Sequence, residues 1–101
     1  MIIAHVRFPV HTADRAAFQA QLLATTHKYE KLAGLIRKYY LMTEAGTHAG
    51  GIYIWESKAH AQAWYTAQWE RDMTAAWGAA PLLEYLDCPI VVDAARVTTP
   101  P

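Results

Sequence analysis

Cysteine is almost absent from this chain. Cys88 stands alone, so no internal disulfide can form, and a reducing compartment fits. Charge is equally thin. Nine basic and nine acidic residues cancel, and no basic run exceeds Arg37-Lys38. That removes the electrostatic footprint of a nucleic-acid binder. No apolar run approaches the length of a membrane span. The first residues pass straight into a strand pattern, without a basic leader or a small-residue cleavage site. The expectation is a cytoplasmic protein with no membrane or nucleic-acid partner. Histidines show no metal-ligand spacing such as His-x-x-x-His. Gly50-Gly51 leads into a strand rather than a helix, so a phosphate cradle lacks its geometry. Neither a metal nor a cofactor is expected.

What the chain has is apolar bulk. Its 101 residues make one expected domain over 1–101, with 53% hydrophobic and 18% charged residues. So little charge suggests a surface partly buried in a subunit interface. The central stretch is Gly50-Gly51-Ile52-Tyr53-Ile54-Trp55-Glu56-Ser57. Residues at period two point to opposite faces of a strand. Ile52 and Ile54 share one face, and Gly51, Tyr53 and Trp55 share the other. Neither is polar, so both need cover. The chain's own helices can supply only one layer.

The rest follows in order. Ile2 to Phe8 reads as a strand closed by Pro9. Thr12 is the expected N-cap of a helix whose stripe runs Phe18, Leu22, Thr25, Tyr29, Leu32 and stops at Gly34. Leu35 to Thr43 is a second strand, with Leu35, Arg37, Tyr39 and Leu41 on one side and Ile36, Lys38, Tyr40 and Met42 on the other. A short turn makes it a hairpin with the Gly50 strand. Ser57 caps a second helix, with a break expected near Arg71 and an end at Gly78 and Pro81. Tyr85 to Val92 is a fourth strand in which Pro89 implies an edge or a bulge, and Ala94–Pro101 is a tail with little local preference. The order is the ferredoxin-like split βαβ, an α+β fold with an antiparallel sheet. Packing of two copies would cover the second face.

Phe8-Pro9-Val10, Gly34-Leu35, Ala49-Gly50-Gly51-Ile52-Tyr53 and Trp55-Glu56-Ser57 resemble the antibiotic-biosynthesis-monooxygenase type of dimeric α+β barrel. Within it the chain is most similar to the YdhR-type monooxygenases. The resemblance spans the chain in element order and about residues 34–65 in motif. It implies a homodimeric barrel with a cavity between sheet and helices in each protomer. It also implies a cofactor-independent monooxygenase acting on a small aromatic or phenolic compound, whose anion would supply electrons to O₂. Quinone-forming members place an Asn four residues before the Trp and a Tyr six after it. This chain has Gly51 and Ala61 there, so only Trp55 carries over.

Candidate site residues divide by chemistry. Trp55 would stack a flat substrate, with a core role as the alternative. Arg37, or else Arg7, would hold an oxyanion if it pointed into the cavity. His5 would take a proton, and His27 could meet it across the sheet–helix layer. Tyr53, Tyr39, Trp64 and Tyr65 are the remaining expected substrate contacts. Trp64, Trp69, Trp77 and Tyr65 make the second helix a core layer or a lid over an apolar pocket. Two functions remain open at this point: a monooxygenase, or a non-catalytic binder of hydrophobic small molecules, such as a stress protein of the same fold.

Overall fold

In the computed structural model, residues 1–94 and the backbone of 96–98 are described. The chain order is β1 (Ile2–Pro9), α1 (Arg15–Leu23), a 3-10 turn (Thr26–Tyr29), β2 (Leu35–Met42) and β3 (His48–Trp55). It continues with α2 (Lys58–Trp64), α3 (Ala67–Trp77), β4 (Leu82–Asp87), β5 (Val91–Asp93) and β6 (Arg96–Thr98). The first four strands form one antiparallel sheet in the order β2-β3-β1-β4, the ferredoxin-like arrangement. β5 and β6 pair as a separate hairpin.

Alternation along the central strands sets the two sides of the sheet. Ile2, Ala4, Val6 and Phe8 of β1 are buried, as are Ala49, Tyr53 and Trp55 of β3. These side chains meet Phe18 of α1 and Ala61 of α2 in one core, with Trp64, Trp69 and Trp77 packed around it. The opposite side carries His5, Arg7, Ile52 and Ile54, and among the described residues no helix lies over it. Among its hydrophobics, Tyr39, Leu41, Leu82 and Leu86 are exposed.

Local chemistry fixes the helix ends. Asp14, not the expected Thr12, is the N-cap of α1, and its carboxylate accepts from the Ala17 amide at 3.0 Å. Thr12 instead accepts from the Asp14 amide, one step outside the helix. α1 stops at Leu23, earlier than its apolar stripe suggests, and the 3-10 turn carries Tyr29 onto the core in its place. Ser57 caps α2 as expected, accepting from the His60 amide. The break comes at Tyr65–Thr66 rather than near Arg71, because Thr66 caps α3 with a hydroxyl on the Trp69 amide. Gly78 ends α3 at φ 80°. Gly34 also has φ 80°, and a Cβ there would run into the His60 ring, so only glycine lets β2 start beneath α2.

Two strand expectations need correction. The register shifts between Leu35 and Arg37, a bulge at Ile36. Leu35 therefore joins Lys38, Tyr40 and Met42 on the helix side, while Arg37, Tyr39 and Leu41 face away from it. The fourth strand begins at Leu82 and ends at Asp87, so Pro89 lies between strands instead of within one. Part of the expected tail pairs as β6, while residues 95 and 99–101 lie outside the described residues.

Candidate functional site

The two sides of the sheet sort the candidate residues. Tyr53, Trp55, Trp64 and Tyr65 gather under the helices. Trp55 is fully buried and lies parallel to Tyr53, with ring centroids 6.2 Å apart. Its indole N–H donates to the Tyr65 hydroxyl at 3.2 Å, which uses its one polar handle internally. Tyr65 sits at the α2–α3 break, edge-on to Trp55, Tyr53 and Trp69. Trp64 packs on Tyr29 at 5.6 Å, and its buried Nε1 has no hydrogen-bond partner among the described residues. An orphaned donor of this kind costs about 1–3 kcal/mol.

Arg37, Tyr39 and His5 lie on the other side. Arg37 is exposed and donates from Nη1 to the Tyr39 hydroxyl at 2.9 Å. Its guanidinium pKa is raised, first by that hydrogen bond. His5 and Arg7 line a shallow hollow of about 300 Å³ on the uncovered face. His27 is exposed on the 3-10 turn. The expected meeting of His5 and His27 across the sheet–helix layer therefore does not occur. β1 turns His5 away from the helices, with buried Ala4 and Val6 on either side of it.

The group the sequence reading passed over is Lys38. β2 directs it under the helices, where its Nζ lies 3.7 Å from the Tyr29 ring centroid, 3.8 Å from Tyr40 and 4.6 Å from Tyr53. Burial pushes its pKa from 10.5 down to about 7, with Lys28 adding repulsion. No carboxylate is among the causes of that shift. The three ring faces favour the ammonium and act the other way. Lys38 is thus poised between its two protonation states near neutral pH.

Neighbouring hydroxyls are held in place. Thr25 Oγ1 donates to the Leu22 carbonyl at 2.7 Å, so Tyr40, 2.8 Å from the same oxygen, is the donor to it. Burial raises the pKa of Tyr29 and carries that of Tyr53 well above the phenol range, so both stay neutral. Gly51 makes the room: a Cβ there would stand 3.1 Å from the Tyr53 ring and 3.2 Å from Lys38 Cε.

Two openings meet at this cage. An inner cavity of about 70 Å³ lies between sheet and helices, walled by Phe8, Tyr29, Lys38, Tyr40, Tyr53, Met73 and Trp77, among others. An outer cleft of about 330 Å³ at the β2 edge shares Tyr29, Lys38 and Tyr40 with it. A larger cleft of about 540 Å³, at the far end of β1 beside Trp77, contains none of the expected site residues. No group of three or more metal-ligating side chains gathers among the described residues. No helix among them is long and apolar enough to cross a membrane.

Lys38 and its cage left one signal in the sequence. Tyr40 and Met42 follow Lys38 at period two on a side that must be covered, and Tyr29 lies on the helix stripe. A lysine in mid-strand nonetheless reads by default as a rim charge.

Comparison with known proteins gives one family model and several structures of the same fold. The family model described as "Putative mono-oxygenase ydhR" matches residues 3–80. A putative antibiotic biosynthesis monooxygenase from Deinococcus radiodurans superposes with a TM-score of 0.68 at 13% identity, over 92% of this chain and 97% of the other. A protein of unknown function from Nitrosomonas europaea gives 0.65 at 15% identity, over 86% and 87% of the two chains. The monooxygenase from the gene ActVA-Orf6 of Streptomyces coelicolor, in complex with the ligand Nanaomycin D, gives 0.64 at 17% identity, over 90% and 89%. At these identities the likeness shows the fold alone. No curated protein matches the sequence.

Proposed function

The chain belongs to the ydhR mono-oxygenase family, and on that premise we propose that it oxygenates a small phenolic compound without a cofactor, in the cavity between sheet and helices. The observation that carries this reading is Lys38: a half-buried amine with a pKa of about 7, ringed by tyrosines and lining a cavity. A neutral lysine can take a phenol proton at neutral pH. The resulting ammonium then sits beside the phenolate, in a site where burial strengthens the pairing. Oxygen adds to a ring methylene made electron-rich by that phenolate. One oxygen atom becomes the new carbonyl oxygen and the other leaves as water. The carbon gives up four electrons and O₂ accepts four, so no external reductant is needed.

In this reading Lys38 takes the roles first expected of Arg37 and His5, which lie on the other face. Tyr53 and Tyr40 flank the substrate. Trp55 and Tyr65 form the rigid floor behind Tyr53. The inner cavity, at about 70 Å³, is a fraction of the roughly 300 Å³ or more of a typical ligand site. Substrate access therefore requires the Met73–Trp77 wall to give way. The neighbour that holds Nanaomycin D is consistent with a small-molecule site in this fold.

The uncovered face belongs to the same proposal. Ile3, Ile52 and Ile54 are half-buried there, next to exposed Tyr39, Leu41, Leu82 and Leu86. A second copy packed on this face would complete a dimeric barrel and bury Arg37 and His5 in the interface.

The test is oxygen uptake with a panel of anthrone-like phenols, which carry the ring methylene, with ¹⁸O₂ label followed into product. One labelled carbonyl oxygen per turnover is expected, and a panel without any uptake would overturn the reading. A second reading, binding without turnover, is favoured by Trp55, whose only donor is already committed to Tyr65. It predicts saturable quenching of tryptophan fluorescence, with the ligand recovered unchanged.

A further inference from the structure

We propose that Lys38 also captures carbonyl compounds: a small aldehyde or 2-oxo acid reaching it through the outer cleft condenses with Nζ to form an imine. This goes beyond the oxygenation reading and needs no oxygen chemistry, only the amine and the path to it.

Three observations support it. Lys38 lines both the inner cavity and the outer cleft, so the residue stands between solvent and a cage of tyrosine rings. A lysine becomes nucleophilic when desolvated or set beside another cation, and here burial and Lys28 both act. An ordinary lysine offers roughly one free amine in three thousand at pH 7, whereas a lysine with a pKa of about 7 offers it freely. The third observation concerns charge. Lys31 and Arg37 line the cleft with Glu30, Arg37 also feels Asp93, and Lys28 adds positive charge beside Nζ, so the field at the amine itself favours a carbonyl compound with an anionic group.

The chemistry balances without a co-reactant. The nitrogen lone pair attacks the carbonyl carbon, the carbon–oxygen double bond is replaced by carbon–nitrogen, and the oxygen leaves as water with the two amine protons.

The experiment is reductive trapping under nitrogen. The protein is incubated with glyoxylate and cyanoborohydride, and alkylation is mapped by peptide mass spectrometry. Lys38 is expected to be modified about tenfold faster than Lys28, Lys31 or Lys58, with benzaldehyde slower than glyoxylate. Uniform labelling of the four lysines, or a spared Lys38, would overturn the proposal. Lys38→Arg keeps a cation in the cage and should remove the fast-reacting site, and a fast site that persists in this variant also counts against it. Because oxygen is excluded, this result and the oxygen-uptake result can fail independently.

Discussion

Residues 37 and 38 are adjacent cations on one strand, yet the sheet gives them opposite environments. Arg37 is exposed, with its charge reinforced by the Tyr39 hydroxyl. Lys38 is half-buried among ring faces, with its charge weakened by lost hydration. One lies on a face without cover, the other beside a cavity. The difference shows that in a half-buried strand the chemistry of a basic residue is set by parity, one residue of which exchanges solvent for the core.

The sharpest way to break this contrast is to neutralise each residue in turn. Lys38→Met is expected to lower oxygen uptake by about 100-fold or more, while Arg37→Met changes it only a few-fold. Equal losses measured by oxygen electrode would erase the distinction. Next comes the uncovered face. Ile52→Glu places a charge in the middle of it and should weaken self-association by about 3 kcal/mol, or more than 100-fold in Kd. Sedimentation velocity would then show a dimer becoming a monomer at micromolar concentration. A wild-type protein that is already monomeric would remove the proposed second layer.

A smaller effect lies in pH. The folded-state pKa of Lys38 is depressed to about 7 from 10.5, so between those values the unfolded chain binds more protons. Stability therefore rises with pH across that window, and the burial penalty is fully present below about pH 7. The expected gain is about 2 kcal/mol after allowance for partial exposure. The tyrosines act in reverse. Tyr29, Tyr53 and Tyr65 have raised values, so their ionisation in the unfolded chain lowers stability at pH above about 10. Denaturant unfolding across pH should show a maximum near the top of the lysine window, and Lys38→Met should flatten the rising limb. The smallest change is a control remote from both faces of the contrast. Gly78→Ala meets nothing within 4 Å and suffers only its left-handed backbone, for a loss of about 1 kcal/mol. Oxygen uptake and dimer affinity should not move.

Much of the architecture was legible from the chain. The first three strands, the β2–β3 hairpin, the Ser57 cap and the Gly78 stop each rest on a local signal of periodicity or turn chemistry, and each is where that signal placed it, whereas the fourth strand lies earlier than expected. Boundaries set by competition were not. Asp14 outcompetes Thr12 because a carboxylate accepts more strongly from the first-turn amides. Thr66 moves the helix break ahead of Arg71 because its hydroxyl can start a new helix. The bulge at Ile36 leaves no mark in composition, yet it decides which side Leu35 takes. The site was half legible. Tyr53, Trp55, Trp64 and Tyr65 do assemble, since alternation and helical spacing fix their faces. Lys38 escaped notice because its depressed pKa arises from three rings and a helix layer brought together from separate segments. No local window holds that environment.

The interruption at Tyr65–Thr66 has a consequence for how the interior can open. Each of the two helices begins with its own hydroxyl cap, so α3 is a self-contained rod of 11 residues. Displacing it outward about the Tyr65–Thr66 joint, where the Thr66 amide donates to the Trp64 carbonyl at 3.0 Å, swings Met73 and Trp77 away from the amine while the internal ladder of α2 stays intact. The work of opening then falls on ring-to-ring packing, chiefly the Phe8–Trp77 stack at 4.8 Å, which a flat guest can replace with its own surface.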